Sequence, residues 1–183
     1  MSMPRPMLQE AAPVRADDFD ALFRQHGATV ARWAAALGGP SLEIEDAVQE
    51  VFMVAHRRLS EFRGDAKVTT WLFQITRRVV LGQRRRGRWR RWLRGSAEEV
   101  GGHLPTPELG PVEVFERREA ARRLYEVLDR MSEKYRMVLV LTKMEGLDAD
   151  QIARVSGVNP VTVRVWLHRA RAQFQRLALE GVG

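Results

Sequence analysis

Apolar positions recur at helical spacing along most of this chain, and the places where that rhythm fails divide it into parts. Phe19, Leu22, Phe23, Val30, Trp33 and Leu37 fit one stripe that begins near Asp17 or Asp18, and Gly38, Gly39 and Pro40 stop it. Ser41 is placed to cap a second helix, with Glu45 in its first turns and Ile44, Val48, Val51, Phe52, Ala55 and Leu59 as its apolar stripe. A third helix is predicted from about Val68 to Gln83, with Trp71, Leu72, Ile75 and Val79 on one side. From Gly87 to about Pro111 no period survives: arginine dominates first, then Gly, Pro, Ser and Glu, as in a linker.

Helical periodicity returns with Val114, Phe115, Leu124, Val127 and Leu128. Ser132 then caps a helix carrying Tyr135, Val138, Leu139 and Leu141, which ends near Gly146. A short helix from about Asp148 to Val155 and a long one from about Pro160 to Leu179 follow. No segment calls for a strand. The expectation is an all-α protein of two small helical domains joined by a flexible linker, the C-terminal one containing a helix-turn-helix. Its parts are a loose arm over 1–15, a first domain over 16–86, a linker over 87–112 and a second domain over 113–183.

The last two helices separate by chemistry as well as by rhythm. At 100° per residue, Val163, Leu167, Ala170 and Phe174 share one face, while Val161, Arg164, Val165 and His168 share the opposite one. The first face packs inward against Ile152 and Val155; the second suits a major groove. Gly157 fits the tight turn, Asn159 can cap the following helix, and Pro160 is tolerated in its first turn because its missing donor would be unpaired there. Short helix, glycine turn and amphipathic helix also occur in proteins that never touch nucleic acid. Trp166 lies at the edge of the buried face, and His168 has no carboxylate or hydroxyl partner placed to make it catalytic.

Composition shifts the balance toward a polyanionic partner. Thirty Lys and Arg against 23 Asp and Glu leave a net charge of +7. There is no cysteine, and the histidines at 26, 56, 103 and 168 are scattered, which excludes disulfides and thiolate metal sites and predicts no metal and no cofactor. No apolar run approaches a membrane span, so no membrane insertion and a cytoplasmic location are expected. Nucleophile, base and orienting group never assemble at persuasive spacing, so no enzyme is expected.

Two further segments carry nucleic-acid chemistry. Lys67, Thr69, Thr70, Trp71, Gln74, Arg77 and Arg78 mix cation, hydroxyl, amide and aromatic groups along one helix, a combination able to hold phosphates and receive an unstacked base. Equally, Trp71 can be a core aromatic, with Arg77 and Arg78 a solvated face. Arg84, Arg85, Arg86, Arg88, Arg90, Arg91 and Arg94, with Trp89 and Trp92 among them, form the steepest charge concentration, suited to a phosphate backbone, a polymerase surface or an anionic membrane surface.

The segment EIEDAVQEVFMVAHRRLSEFRGDAKVTTWLFQITRRVV, followed by the arginine run, resembles region 2 of the extracytoplasmic-function (ECF) group of the sigma-70 family of bacterial RNA polymerase sigma factors. MSEKYRMVLVLTKMEGLDADQIARVSGVNPVTVRVWLHRARAQFQRL resembles their region 4. Together the two cover most of residues 17–180, in order, around a linker of suitable character. The resemblance implies that Asp46, Gln49, Glu50 and Phe52 dock on the clamp helices of the polymerase's largest subunit, with the polymerase flap as a second contact. It implies that Lys67, Thr69, Thr70, Trp71 and Gln74 melt and read the −10 promoter element, with Arg77 and Arg78 on adjacent backbone. It assigns −35 recognition to Pro160, Val161, Arg164, Val165 and His168, with Thr162 and Arg169 as backbone contacts.

The function so implied is recruitment of core polymerase to promoter DNA and strand opening, without covalent chemistry. An anti-sigma factor, most often membrane-associated, is implied as a partner that would hold the protein near the membrane. Some positions depart from the family pattern. Arg77-Arg78 and then Gly82 stand where Arg-Asn and then Asp are common, and Val161, Val165 and Trp166 stand where Gly, Ser and Arg are familiar. These departures bear on promoter sequence: Val161 and Val165 favour thymine-methyl contact over hydrogen-bonded readout. A stand-alone helix-turn-helix regulator, or a sigma-like protein-interaction regulator, remains the alternative from the residues alone.

Overall fold

A computed structural model describes residues 19–62, 67–94 and 111–180. Its helices are α1 (Phe19–Gly38), α2 (Ile44–Arg58), a 3-10 turn (Leu59–Glu61), α3 (Val68–Arg94), α4 (Pro111–Arg130), α5 (Glu133–Met144), α6 (Ala149–Ser156) and α7 (Pro160–Glu180). All regular structure among the described residues is helical, in two clusters, α1–α3 and α4–α7. The predicted arm over 1–15 and the Gly/Pro-rich part of the linker, 95–110, lie outside the described residues.

The first cluster closes around aromatic and β-branched side chains. Val30, Val51, Leu72 and Val80 are fully buried, and Trp33 meets the edge of Phe73 with centroids 5.3 Å apart and planes at 86°. Such edge-to-face pairs align the positive ring edge with the negative face of the neighbour and add to simple area burial. In the second cluster, Val138, Leu141, Ile152, Val163 and Ala170 are buried between α5, α6 and α7.

Three local expectations change. The third helix continues through the arginine run to Arg94 instead of yielding to linker at Gly87. Arginine is a good helix former, and each of the two interior glycines, Gly82 and Gly87, costs only about 1 kcal/mol relative to alanine, too little to end a helix that no proline interrupts. Ser41 does not cap α2, which starts at Ile44 with Glu43 at its N-cap and no side-chain bond there. Ser132 does occupy the N-cap of α5, yet it makes no side-chain capping bond.

Elsewhere the punctuation acts as expected. Gly39 takes φ +77, a left-handed conformation that side chains resist, and a Cβ there would lie 2.5 Å from the Asp129 carboxylate of α4. The position is closed both by backbone conformation and by packing between the clusters. Gly157 takes φ +69 in the turn between α6 and α7. No helix of the described residues is long and apolar enough to cross a membrane.

His26 is buried in α1, and its Nε2 has no hydrogen-bond partner among the described residues. Burial disfavours the imidazolium and lowers its pKa below the ordinary 6.5. The unfolded chain therefore binds a proton more readily than the folded one, so this group subtracts stability as pH falls below about 6.5 and the loss is complete below the folded pKa. Urea midpoints are expected to fall between pH 7 and 5, and His26→Leu is expected to flatten that part of the profile.

Candidate functional site

The helix-turn-helix is built by α6, the Gly157 turn and α7. Asp148 closes α6 with a capping box: its carboxylate accepts from Gln151 N at 2.7 Å, while Gln151 Oε1 accepts from Asp148 N at 2.9 Å. Asn159 Oδ1 accepts from Val161 N at 2.9 Å and so fixes the start of α7. With Val163, Ala170 and Leu177 buried, the helix is held to one rotation. Val161 and Val165 are then 63% and 43% exposed, large apolar groups facing solvent, and Arg164, His168 and Arg169 are exposed around them.

Pro160 and Thr162 are half-buried at the helix start. Arg164 Nη2 lies 3.2 Å from Asp150 Oδ1 on α6, an exposed pair that orients the guanidinium more than it stabilises the fold. Trp166 is half-buried with Lys134 over its ring, 5.8 Å from the centroid, a helix-contact position.

On α3 and at Lys67 just before it, the seven basic, polar and aromatic residues divide into two groups. Lys67, Thr69 and Thr70 line a cleft of about 390 Å³ whose far wall is Leu141, Glu145 and Gln151 of the second cluster. Gln74 Nε2 donates to the Val155 carbonyl at 3.1 Å, and Arg77 pairs with Glu133. Trp71 and Arg78 lie off that cleft: Trp71 is half-buried with its ring 5.1 Å from Phe62, and Arg78 is exposed. Trp71 thus packs on one side and remains accessible on the other.

The four residues assigned to α2 also separate. Asp46 and Gln49 are exposed; Glu50 is half-buried, accepting from Gln83 at 2.7 Å and pairing with Arg86 at 3.2 Å. Phe52 is 3% exposed, with Phe23 4.8 Å and Phe19 6.2 Å away across its ring, so it shapes the surface from beneath. Above it runs an apolar groove between α1 and α2 of about 1000 Å³, walled by Phe19, Phe23, Val48, Gln49 and Met53. Phe23 and Met53 are exposed and were not singled out as surface residues by periodicity; Met53 falls seven residues after Asp46 and four after Gln49, on the same stripe.

Among the described residues no group of three or more His, Cys, Asp or Glu side chains is placed to hold a metal ion. The charged groups that meet one another are arginines with carboxylates or carbonyls, arrangements of contact and orientation rather than of acid-base chemistry.

Residues 22–90 match the family described as Sigma-70 region 2, and residues 121–174 match Sigma-70, region 4. The chain is 28% identical over 180 residues to the RNA polymerase sigma factor NccH of Alcaligenes xylosoxydans xylosoxydans, covering 96% of this chain and 97% of that protein. It is 30% identical over 175 residues to the ECF RNA polymerase sigma factor SigL of Mycobacterium tuberculosis, covering 94% and 95% respectively. The fold is similar to that of the sigma factor RpoE in complex with the anti-sigma factor NepR from Bartonella quintana, with a TM-score of 0.67 at 23% identity over 88% of this chain and 96% of that one. The chain belongs to the ECF group of the sigma-70 family: it is an RNA polymerase sigma factor, which binds the core enzyme and promoter DNA and is not itself an enzyme.

Proposed function

We propose that the protein divides promoter recognition between its two helical clusters, reading the −35 duplex with α7 and capturing the opened −10 strand with α3, while α2 holds it to the polymerase. The observation that carries this reading is the exposed face of α7. Two valines and three basic side chains project together from a helix whose opposite face is locked into the core, the arrangement an α-helix needs to enter a major groove. Arg164, Val161, Val165 and His168 meet base edges, and Thr162, Arg169 and the amides around Pro160 meet phosphate.

For the −10 element, Lys67 and Arg78 hold phosphates, Thr69, Thr70 and Gln74 supply hydrogen bonds to base edges, and Trp71 offers its accessible side to an unstacked base. Arg77 contacts adjacent backbone. Asp46 and Gln49 meet the clamp helices of the largest subunit, Glu50 adds its remaining acceptor capacity, and Phe52 supports the surface from below. The flap is the counterpart for the second cluster. An anti-sigma factor completes the set of partners, and location follows from them: with polymerase and DNA in the cytoplasm, or beside the membrane while the anti-sigma factor is bound.

Promoter opening tests the assignment of α3. In the reconstituted holoenzyme, Lys67→Ala together with Trp71→Ala is expected to lower permanganate reactivity of unpaired thymines at least tenfold while leaving holoenzyme assembly unchanged. Full reactivity in that variant would remove the strand-capture role from α3.

A further inference from the structure

We infer that Asp150, in the first turn of α6, is the positioning residue of the −35 reading face: it holds the Arg164 guanidinium ready for a guanine edge and keeps it off the neighbouring phosphates. The inference rests on the −35 assignment of α7 and deepens it, since it concerns which base Arg164 selects and what makes that selection sharp.

Both ends of the contact stand on helices whose rotation is fixed. Asp150 is the second residue of α6, which starts at the Asp148–Gln151 capping box and buries Ile152, Ala153 and Val155. Asp150 is left exposed, its carboxylate at the positive end of the helix dipole. The neighbouring Asp148 is committed to the cap, accepting from Gln151 N at 2.7 Å, so Asp150 is the carboxylate that α6 turns toward α7. Arg164 follows buried Val163 and stands between Val161 and His168, about one turn from each, at the centre of the exposed face. Its Nη2 donates to Asp150 Oδ1 at 3.2 Å across 14 positions of sequence.

A long, exposed arginine beside DNA has phosphate as its default partner. Most protein–DNA hydrogen bonds go to phosphate and sugar oxygens, so an arginine that swings freely adds affinity without selecting sequence. Asp150 opposes this in two ways. Its carboxylate takes one N–H of Nη2, and whichever of the two it takes, one edge of the planar guanidinium keeps a pair of parallel donors for the O6 and N7 acceptors of guanine. Its negative charge also repels phosphate oxygens from the same side of the helix.

The exposure of the pair says what the contact is for. With both side chains more than half exposed, it adds little to the stability of the fold, and its effect lies in where it sets the guanidinium before DNA arrives. Affinity and discrimination then respond in opposite directions to Asp150. The carboxylate lowers the attraction of the face for any duplex while sharpening choice at one base pair. A residue that only supported the fold would, when lost, weaken binding to every sequence, and one that read a base by itself would act without Arg164.

Selection from a duplex library randomised across the −35 element, with the reconstituted holoenzyme, separates these roles. Asp150→Ala is expected to lower guanine preference at one base pair by about fivefold or more and to leave the other pairs within about twofold, with helical circular dichroism unchanged. Its affinity for a duplex without a promoter is expected to rise, and the slope of log affinity against log salt to steepen by about 0.9, as Arg164 gains a phosphate. Asp150→Glu, which keeps the carboxylate, should retain most of the preference. Arg164→Ala should lose preference at the same base pair, and adding Asp150→Ala should change it no further. A charge-matched control at the far end of α7, Glu180→Ala, should leave every preference in place. An Asp150→Ala protein that keeps its preference while Arg164→Ala loses it would overturn the inference and leave the −35 assignment standing. Preference lost equally at every pair, a fall in affinity for the promoter-free duplex, or a further change in the double variant would overturn it as well. Unaltered preference with Arg164→Ala would remove base reading from Arg164, and this inference with it.

Discussion

Replacing Trp33 by alanine is expected to destabilise the protein by about 3–5 kcal/mol, the usual cost of removing a large buried aromatic. The indole is 1% exposed and its ring meets the edge of Phe73, so alanine leaves a cavity at the centre of α1–α3 that surrounding helices can only partly fill. The loss is a large share of the roughly 5–15 kcal/mol by which native domains are stable. Two contributions can be separated. Trp33→Phe keeps most of the ring volume but leaves Glu145 without the indole N–H, and is expected to cost about 1–2 kcal/mol, reduced because Glu145 is half-buried and water can reach it. Urea denaturation of the two variants side by side measures both, and equal losses would place the effect of Trp33 in the hydrogen bond instead of in packing.

The second large effect lies on α7. Arg164→Ala is expected to weaken binding of the holoenzyme to its −35 duplex by about 1–3 kcal/mol, roughly 5- to 150-fold, and to relax preference at one base pair. Arg169→Ala is expected to weaken all sequences alike and to lower the slope of log affinity against log salt by about 0.9, the signature of one lost phosphate contact. The valines make a different prediction. Val165→Ser removes an apolar surface and supplies a hydroxyl, so preference at its base pair should shift away from thymine, whose methyl group an exposed valine suits. Unchanged preference in promoter selection with both Arg164→Ala and Val165→Ser would contradict base readout by this face.

Much of this arrangement was legible in the residues because it depends on local rules. The capping Asn159, the left-handed Gly157 and the buried Val163 and Ala170 all follow from chemistry within a few positions in sequence. Phe52 shows where two readings of one residue compete: helical period puts it on the apolar stripe of α2, while family resemblance puts it at an interface. It is buried, and its influence on the α1–α2 groove is exerted from below. The arginine run shows the opposite error, since charge and loss of hydrophobic period read as linker although arginine sustains the helix to Arg94.

The seam between the clusters was not legible. Arg136 and Leu37 are 99 positions apart, and nothing near either marks them as partners. Arg136 lies among apolar residues of α5, and a buried arginine there is explained only once the carbonyls at the end of α1 are seen beside it. Arg84 likewise reads, by sequence, as one member of a run suited to a phosphate backbone or a polymerase surface; the fold withdraws it to the end of α1. Exposure of Phe23 and Met53 also depends on how α1 and α2 are rotated against each other, which periodicity alone leaves open.

Promoter-dependent transcription with purified bacterial core polymerase tests the central claim most directly, comparing the natural protein with Asp46→Lys/Gln49→Ala. Both substituted positions are exposed, so the fold should be retained, in contrast to a change at buried Phe52. Specific transcripts from the natural protein, reduced at least tenfold together with core binding in the variant, are the expected result. No core binding and no transcript from the natural protein across a diverse promoter library would contradict the account.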